Sequence, residues 1–405
     1  MTEPTPTPAI QEKIHNIQNA LKKEGIDAWL FYDFWKRNEF AQRIIEFPKH
    51  MLNTRRFFYL VPASGAPQKL VHSIERHNLD HLPGEMTIYL SWQSLEQGLK
   101  KLLAGRKNVA MEYSPLNAIP YVSKVDAGTI ETVKKCGVNI VSSMNLIQFF
   151  ESRWSEEAYR DNMETAKIMR KVVDRAFAFM KEKIQKKAPI TEYDVQQFMY
   201  RCFTENGLTT SEAPNCSVNA NAGNPHYEPT KEIHSPLREG DFVLIDLWAR
   251  KDKPESTYND ITWVGFLGTS VPEKYTKIFD VVKGARDAGV DFLKQSFAAK
   301  KVIRGCDVDD VVRKYIEERG YSEYFIHRTG HSITADLHGS GANMDNLETR
   351  DERTIIPETS FSIEPGVYFN GEFGVRSEID VYISKNGEVI IPGEPRQQEV
   401  VAILR

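Results

Sequence analysis

Four carboxylates stand where a folded chain ordinarily places apolar side chains. Asp246 follows Val243-Leu244-Ile245, and Asp260 precedes Ile261-Thr262-Trp263-Val264. A charged, Pro-containing break over residues 250–256 separates the two runs, a pattern that predicts a β-hairpin. Centred near Lys253, the hairpin would set Asp246 and Asp260 directly opposite one another. The stretch from Phe361 to Ile383 repeats the design: Glu364 and Glu378 flank an Asn370-Gly371 turn, at the fourteen-residue spacing that also separates Asp246 from Asp260. Pro365-Gly366 interrupts the first of these strands and leaves the register there open by one residue. Paired carboxylates in a sheet repel, and acids embedded among apolar neighbours are rarely left without a partner. Positive charge must sit between them. A divalent metal ion is the economical source.

The rest of the chain has to hold those hairpins in place. Its 405 residues suffice for one large or two ordinary domains. With 52 basic against 56 acidic residues the net charge is −4, which gives no electrostatic case for nucleic acid. A hydrophobic content of 41% and a charged content of 27% fit a globular protein. No apolar run approaches the ~18 residues that span a bilayer. The opening residues 1–8, rich in Thr and Pro, lack the basic and apolar regions of a signal peptide and read as a disordered lead-in. Cys136, Cys202, Cys216 and Cys306 form no C-x-x-C pair, so a zinc ribbon or a disulfide framework is not expected and a reducing cytoplasm fits.

Helix and strand signals alternate up to about Phe150. Ile10, Ile14, Ile17 and Leu21 define a helix closed by Gly25, and Ala28–Tyr32, Phe57–Val61, Lys69–His72, Val109–Glu112 and Val138–Val141 read as strands. This is an α/β domain, with neither a G-x-G-x-x-G nor a P-loop. Ser155 then opens a long helix whose stripe of Met169, Val172, Val173, Ala176, Phe177, Met180 and Ile184 is core, and Thr191 caps another. Further helices are expected over residues 274–298 and 308–319. The expected division is 1–155 and 156–405. Cys216 near His226 could suggest a cysteine nucleophile, but a lone Cys in a small-residue loop is ordinarily inert packing.

Beyond the acids, Tyr258-Asn259-Asp260-Ile261-Thr262, Thr329-Gly330-His331, Ile363-Glu364-Pro365-Gly366 and Gly374-Val375-Arg376-Ser377-Glu378 complete a recognisable set. Residues from about 160 onward resemble the pita-bread metallopeptidases: aminopeptidase P, prolidase, methionine aminopeptidase and the related creatinase. The first domain resembles the α/β domain that creatinase, prolidase and aminopeptidase P carry. The implied fold is α+β, a creatinase-N-like α/β domain followed by a pita-bread catalytic domain. The resemblance implies metal ligands Asp246, Asp260, His331, Glu364 and Glu378, with Asp260 and Glu378 bridging two divalent ions and a bridging water as nucleophile. An oxygen-rich set with one imidazole suits manganese or cobalt, and zinc is compatible. His226 matches a histidine that hydrogen-bonds the reacting carbonyl or the bridging water, His327 and His338 match the outer histidines that face the substrate, and Arg376 matches a partner for a ligand carboxylate or for substrate.

The implied activity is hydrolysis of Xaa-Pro bonds in short proline-containing peptides, by a dipeptidase or an aminopeptidase, in a cytoplasmic homodimer. Other branches of the same fold are creatinase-like amidinohydrolases, lyases acting on a small sulfonium compound, and metal-free peptide-binding relatives. Retention of all five ligand positions counts against creatinase and the metal-free class. The chain departs from the family pattern in a longer loop at Lys251–Ser256, in Trp263 where arginine is common, in Ser332 where glycine is usual after the histidine, and in Gly339 where aspartate is common. These departures bear on substrate choice, not on the ligands.

Overall fold

The computed structural model describes residues 6–405. The expected lead-in lies, over residues 1–5, outside the described residues, and Pro8 already opens the first helix. The described residues form two compact units, the first ending at Glu151 and the second spanning Ser152–Arg405. None of their helices is long and apolar enough to cross a membrane.

The first unit contains α1 (Pro8–Glu24), β1 (Ala28–Asp33), α2 (Glu39–Ile44), β2 (Phe57–Pro62), β3 (Gln68–His72), β4 (Glu85–Tyr89), α3 (Trp92–Leu102), β5 (Asn108–Met111), α4 (Ala127–Lys134), β6 (Asn139–Ser142) and α5 (Met144–Glu151). Its sheet has the order β4-β3-β2-β1-β5-β6, and only β2 runs against the rest. Alternation along β1 supplies both cores. Trp29 and Phe31 pack with Ile10, Ile14, Ile17 and Leu21 of α1, while Ala28, Leu30 and Tyr32 pack with Leu95, Leu99 and Leu102 of α3. A sheet covered on both faces explains why every β1 residue is buried.

The second unit continues with α6 (Glu156–Gln185), α7 (Glu192–Glu205), β7 (Leu208–Thr209), β8 (Asn215–Val218), β9 (Phe242–Lys251), β10 (Asn259–Phe266), α8 (Glu273–Ala298) and α9 (Gly305–Glu317). It ends with β11 (Ser332–Ile333), β12 (Ser360–Ile363), β13 (Gly366–Phe369), β14 (Phe373–Arg376), β15 (Ile379–Ile383), β16 (Val389–Ile390) and β17 (Val401–Ala402). One sheet has the order β17-β10-β9-β7, with β8 also on β9; a second runs β11-β12-β15-β16; β13 and β14 form a separate hairpin. Odd-numbered residues of β9 and β10, among them Val243, Ile245, Leu247, Ile261 and Trp263, pack on α6 and α7. Phe242, Leu244, Val264 and Phe266, on the other face, pack on α8.

The first hairpin departs from the expected register. Asp246 pairs with Thr262 and Asp260 with Trp248, so the aspartates are diagonal neighbours, not direct partners. The hairpin is centred on Pro254, one residue later than expected, because β9 runs on to Lys251, whose ammonium bonds to Asp161, at 2.8 Å, and Glu164 of α6. A two-residue offset preserves the face, since side chains alternate with period two. The second hairpin holds its register across the interruption. Both Ile363–Ile379 and Gly366–Arg376 are direct pairs, which sets Glu364 level with Glu378. Its turn spans three residues, Asn370–Glu372, closed by the Glu372 N–H donating to the Phe369 carbonyl at 2.9 Å, with Gly371 at φ +79°.

The segment carrying His331 lies directly on β12. A Cβ at Gly330 would stand 1.9 Å from the Ser362 carbonyl oxygen, and a backbone atom cannot swing aside as a side chain can. Gly330→Ala is therefore expected to cost about 1–3 kcal/mol, seen as a fall of several degrees in the unfolding midpoint. An unchanged midpoint would show that the two segments are not packed this tightly.

Candidate metal centre

The site occupies the polar end of a face that begins apolar. Along β9 that face reads Phe242, Leu244, Asp246, Trp248, and along β10 it reads Phe266, Val264, Thr262, Asp260, paired one to one. The inner ends join the α8 core, whereas Asp246, Trp248 and Asp260 line a cleft of about 610 Å³. Ile363 and Ile379 of β12 and β15 pack into a further core, while Ser362 and Asp380 pair on the opposite face. Glu364, Glu378, His331, His338, His327, His226 and Arg376 line the same cleft. All nine residues singled out from the sequence thus converge on one cavity.

Hydrogen bonds fix the acids from behind. The Asp260 N–H donates to Asp380 Oδ2 at 3.0 Å, and Asn259 Nδ2 donates to the same oxygen at 2.6 Å. Ser362 Oγ accepts from the His331 N–H and donates to Glu364 Oε1, both at 3.0 Å. Arg376, buried, donates to Asp246 Oδ2 and, at 2.9 Å, to Thr262 Oγ1. Of its two expected roles, Arg376 is seen in the first, as partner of the Asp246 carboxylate.

Counting protons and lone pairs exposes what is missing. Thr262 Oγ1 lies 2.8 Å from Asp246 Oδ1 and 2.7 Å from Glu378 Oε2, yet it has one hydrogen for two carboxylates. His331 Nδ1 lies 3.3 Å from the Ser332 carbonyl, which can only accept, so Nδ1 carries the hydrogen. Burial lowers the His331 pKa to about 3, so the ring is neutral and Nε2 presents a lone pair. That lone pair faces Asp260 Oδ2 and Glu364 Oε1, each 3.4 Å away. Asp260 Oδ1 is buried with no partner. Burial first, then the neighbouring carboxylates, pushes Asp260 and Glu378 well above the ordinary carboxylate range. One ligand atom each of Asp260, His331 and Glu378 falls within a common 4.8 Å. Oxygen and imidazole donors that crowd together without enough hydrogens fit a divalent cation.

The other histidines differ among themselves. His338 makes a T-shaped pair with His331, ring centroids 4.4 Å apart, and is exposed along the cleft. His226 is exposed at the rim, its N–H bonded to Asn224 Oδ1 at 3.0 Å. His327 has both ring nitrogens engaged, Nδ1 with the Arg328 carbonyl at 2.7 Å and Nε2 with the Tyr368 hydroxyl at 2.8 Å. Arg376 Nη1 also donates to Tyr368 at 3.4 Å, so His327 is tied to Asp246 through Tyr368 and Arg376. Thr262, Ser362, Tyr368 and Asp380 were not expected at the site. Thr262 and Asp380 stand two residues beyond Asp260 and Glu378, and that spacing on a strand was an available signal.

The sequence departures are accommodated locally. Trp263 lies on the far face of β10, with the Arg170 guanidinium 3.8 Å from its ring centroid, and does not line the cleft. Ser332 and Gly339 belong together: Ser332 Oγ accepts from the Gly341 N–H at 3.0 Å and would lie 2.9 Å from a Cβ at position 339. A larger residue at 339 would meet that hydroxyl.

A three-layer α/β unit joined to a pita-bread unit with this buried carboxylate and imidazole cluster defines a metallohydrolase of the pita-bread class. The profile of metallopeptidase family M24 matches residues 162–385, and the chain belongs to that family. It is 26% identical over 310 residues to an Xaa-Pro dipeptidase of Lactobacillus delbrueckii subsp. lactis, covering 75% of this chain and 76% of the relative. Shorter matches cover less, as with the 41% of an Xaa-Pro dipeptidase of Lactobacillus helveticus. Among solved structures, a prolidase from Thermococcus sibiricus superposes with a TM-score of 0.63 at 21% identity, over 97% of this chain and 99% of that one. An X-prolyl aminopeptidase from Caenorhabditis elegans, a cytosolic enzyme with a di-nuclear active site, gives a TM-score of 0.59 at 13% identity, over 94% of this chain and 60% of that one.

If the cluster is a cation site, adding Mn²⁺ to metal-free protein should raise its unfolding midpoint. The expected gain is about 2.7 kcal/mol for one site at a hundredfold excess over Kd. Asp260→Asn should lose most of that rise. An equal rise in both proteins would place the cation elsewhere.

Proposed function

We propose that this chain is an exopeptidase hydrolysing the Xaa-Pro bond of short peptides, of the dipeptidase or aminopeptidase type. The observation carrying the proposal is the convergence of Asp246, Asp260, His331, Glu364 and Glu378 beside an apolar wall of Trp248 and Leu337. These five would hold two divalent cations, manganese foremost, with Asp260 and Glu378 between them, and the cations would supply Lewis-acid polarisation of the scissile carbonyl and an acidified water. The names of the Lactobacillus and Thermococcus relatives agree with a prolyl substrate.

The side chains have separate tasks. Arg376 and Thr262 keep Asp246 and Glu378 oriented, and Tyr368 with His327 braces Arg376. His338, exposed along the cleft and in a T-shaped pair with His331, donates a hydrogen bond to the carbonyl oxygen as negative charge develops there. His226, at the rim, orients the same carbonyl from the substrate side. Water adds to the carbonyl carbon, the C–N bond breaks, and the proline nitrogen leaves with a proton. Proline offers a fixed ring and no N–H, so the Trp248 and Leu337 surface selects it by shape.

Metal-loaded protein should cleave Xaa-Pro dipeptides or longer Xaa-Pro peptides well ahead of their Xaa-Ala counterparts. Equal cleavage of Xaa-Ala, or turnover of a small amidine or sulfonium compound with no peptide cut, would refute the prolyl assignment. His338→Ala should keep its melting temperature and metal content while kcat falls about 100-fold or more. Wild-type turnover would remove His338 from the chemistry, and loss of metal or fold would make it structural.

A further inference from the structure

A second cleft, of about 810 Å³, lies wholly within the first unit. That volume falls in the range of about 300–1,000 Å³ usual for small-molecule sites. It opens where β1, β3 and β4 end, at Tyr32, His72 and Tyr89, and where β2 begins, after Arg56. β1, β3 and β4 run in the same direction. Open α/β sheets place ligands outside the carboxyl ends of such strands.

The lining is unlike that of the candidate metal centre. Arg37, Arg55 and Arg56 stand against a single carboxylate, Asp126. Asp126 is spent inward: Oδ1 accepts from the Thr129 N–H at 2.9 Å, and Oδ2 accepts from the Thr129 hydroxyl at 2.8 Å and from the Tyr32 hydroxyl at 3.2 Å. Glu75, outside the cleft lining, is likewise taken by the backbone N–H groups of Thr54 and Arg55. None of the three arginines has an ion-pair partner among the described residues, and the Arg55 guanidinium donates only to the neutral oxygens of Thr54. Arg56 is half-buried, and it acts on both the Tyr32 and the Tyr89 hydroxyls against the burial that raises them, so its charge lies within reach of each. Flat apolar surface adjoins these charges: Phe34 carries the Arg37 guanidinium 5.8 Å from its centroid, and Trp92 remains 63% exposed. His72 is held by the backbone, with Nε2 3.2 Å from the Leu90 carbonyl and Nδ1 accepting from the Ile74 N–H at 3.2 Å.

We propose that this cleft is a second binding site, for a small organic anion with a flat ring, its phosphate or carboxylate on Arg56 and its ring against Trp92 or Phe34. Guanidinium groups hold such anions with paired hydrogen bonds, and aromatic surface beside them favours a planar ligand.

The test is calorimetric titration of the full-length chain with five probes. Adenosine monophosphate and phenyl phosphate carry ring and phosphate, benzoate carries ring and carboxylate, adenosine has no charge, and inorganic phosphate has no ring. At least one ring-bearing anion should bind tenfold or more tightly than both adenosine and inorganic phosphate, and the pattern among the three distinguishes phosphate from carboxylate. Arg56→Ala should weaken that binding at least tenfold while leaving peptidase activity without the probe unchanged, and Arg37→Ala serves if Arg56→Ala fails to fold. Absence of binding up to about millimolar concentration, the weak end of specific affinity, would overturn the proposal. So would binding unaffected by either substitution, or a change of oligomeric state in Arg56→Ala with no probe bound, which would make the cleft a seat for a second copy.

Discussion

Like charges held close together in a buried place are the constraint on which the second unit depends. Asp246, Asp260, Glu364 and Glu378 line one cleft with a neutral imidazole, and Arg376 is the buried cation bonded among them. An arrangement of this kind is unstable without compensation, because each buried carboxylate loses its hydration and gains a repulsive neighbour. The surrounding structure supplies what hydrogens it can. Thr262, Ser362, Asn259 and the Asp260 amide all serve the acids or the groups behind them, and Asp260 Oδ1 still lacks a partner. A divalent cation would remove the residual deficit. Two sheets are needed to build the deficit, since β9 and β10 bring the aspartates and the β12–β15 segment brings the glutamates.

Much of this was legible because strand periodicity is local. An acid inside an apolar alternating run must face either a core or a site, and the α6–α7 side of the sheet is filled by Ile245, Leu247, Ile261 and Trp263. The glutamate pair kept its register through Pro365-Gly366, for the pairing on the two sides of the break is continuous. The aspartate pair did not match expectation, because the end of β9 is set by Lys251 reaching α6, a contact ninety positions away in the chain to Asp161. Long-range contacts of that kind leave no trace in a local pattern. The same holds for Tyr368 and His327, which meet across forty-one positions and whose partnership only the folded chain reveals. Short elements escaped for another reason. β4 alternates only over Glu85-Met86-Thr87-Ile88 and buries only Tyr89, and α2 has only six residues.

The departures from the family pattern show how local sterics absorb change without disturbing the donor set. Trp263 exchanges a polar position for packing on α6, on the face turned away from the cleft. Ser332 and Gly339 trade volume with one another, the hydroxyl of one occupying space beside the missing side chain of the other. Trp248 is the residue of the cleft whose bulk most plainly shapes its wall, set directly across the ladder from Asp260.

The central claim is that the buried acids are compensated by cations rather than by protons or by the arginine alone. The most direct measurement is elemental analysis of the purified chain after saturation with Mn²⁺ and removal of free metal. The account predicts about two equivalents per chain, whose positive charges together match the four carboxylates. Protein that is fully folded and retains no metal would contradict it.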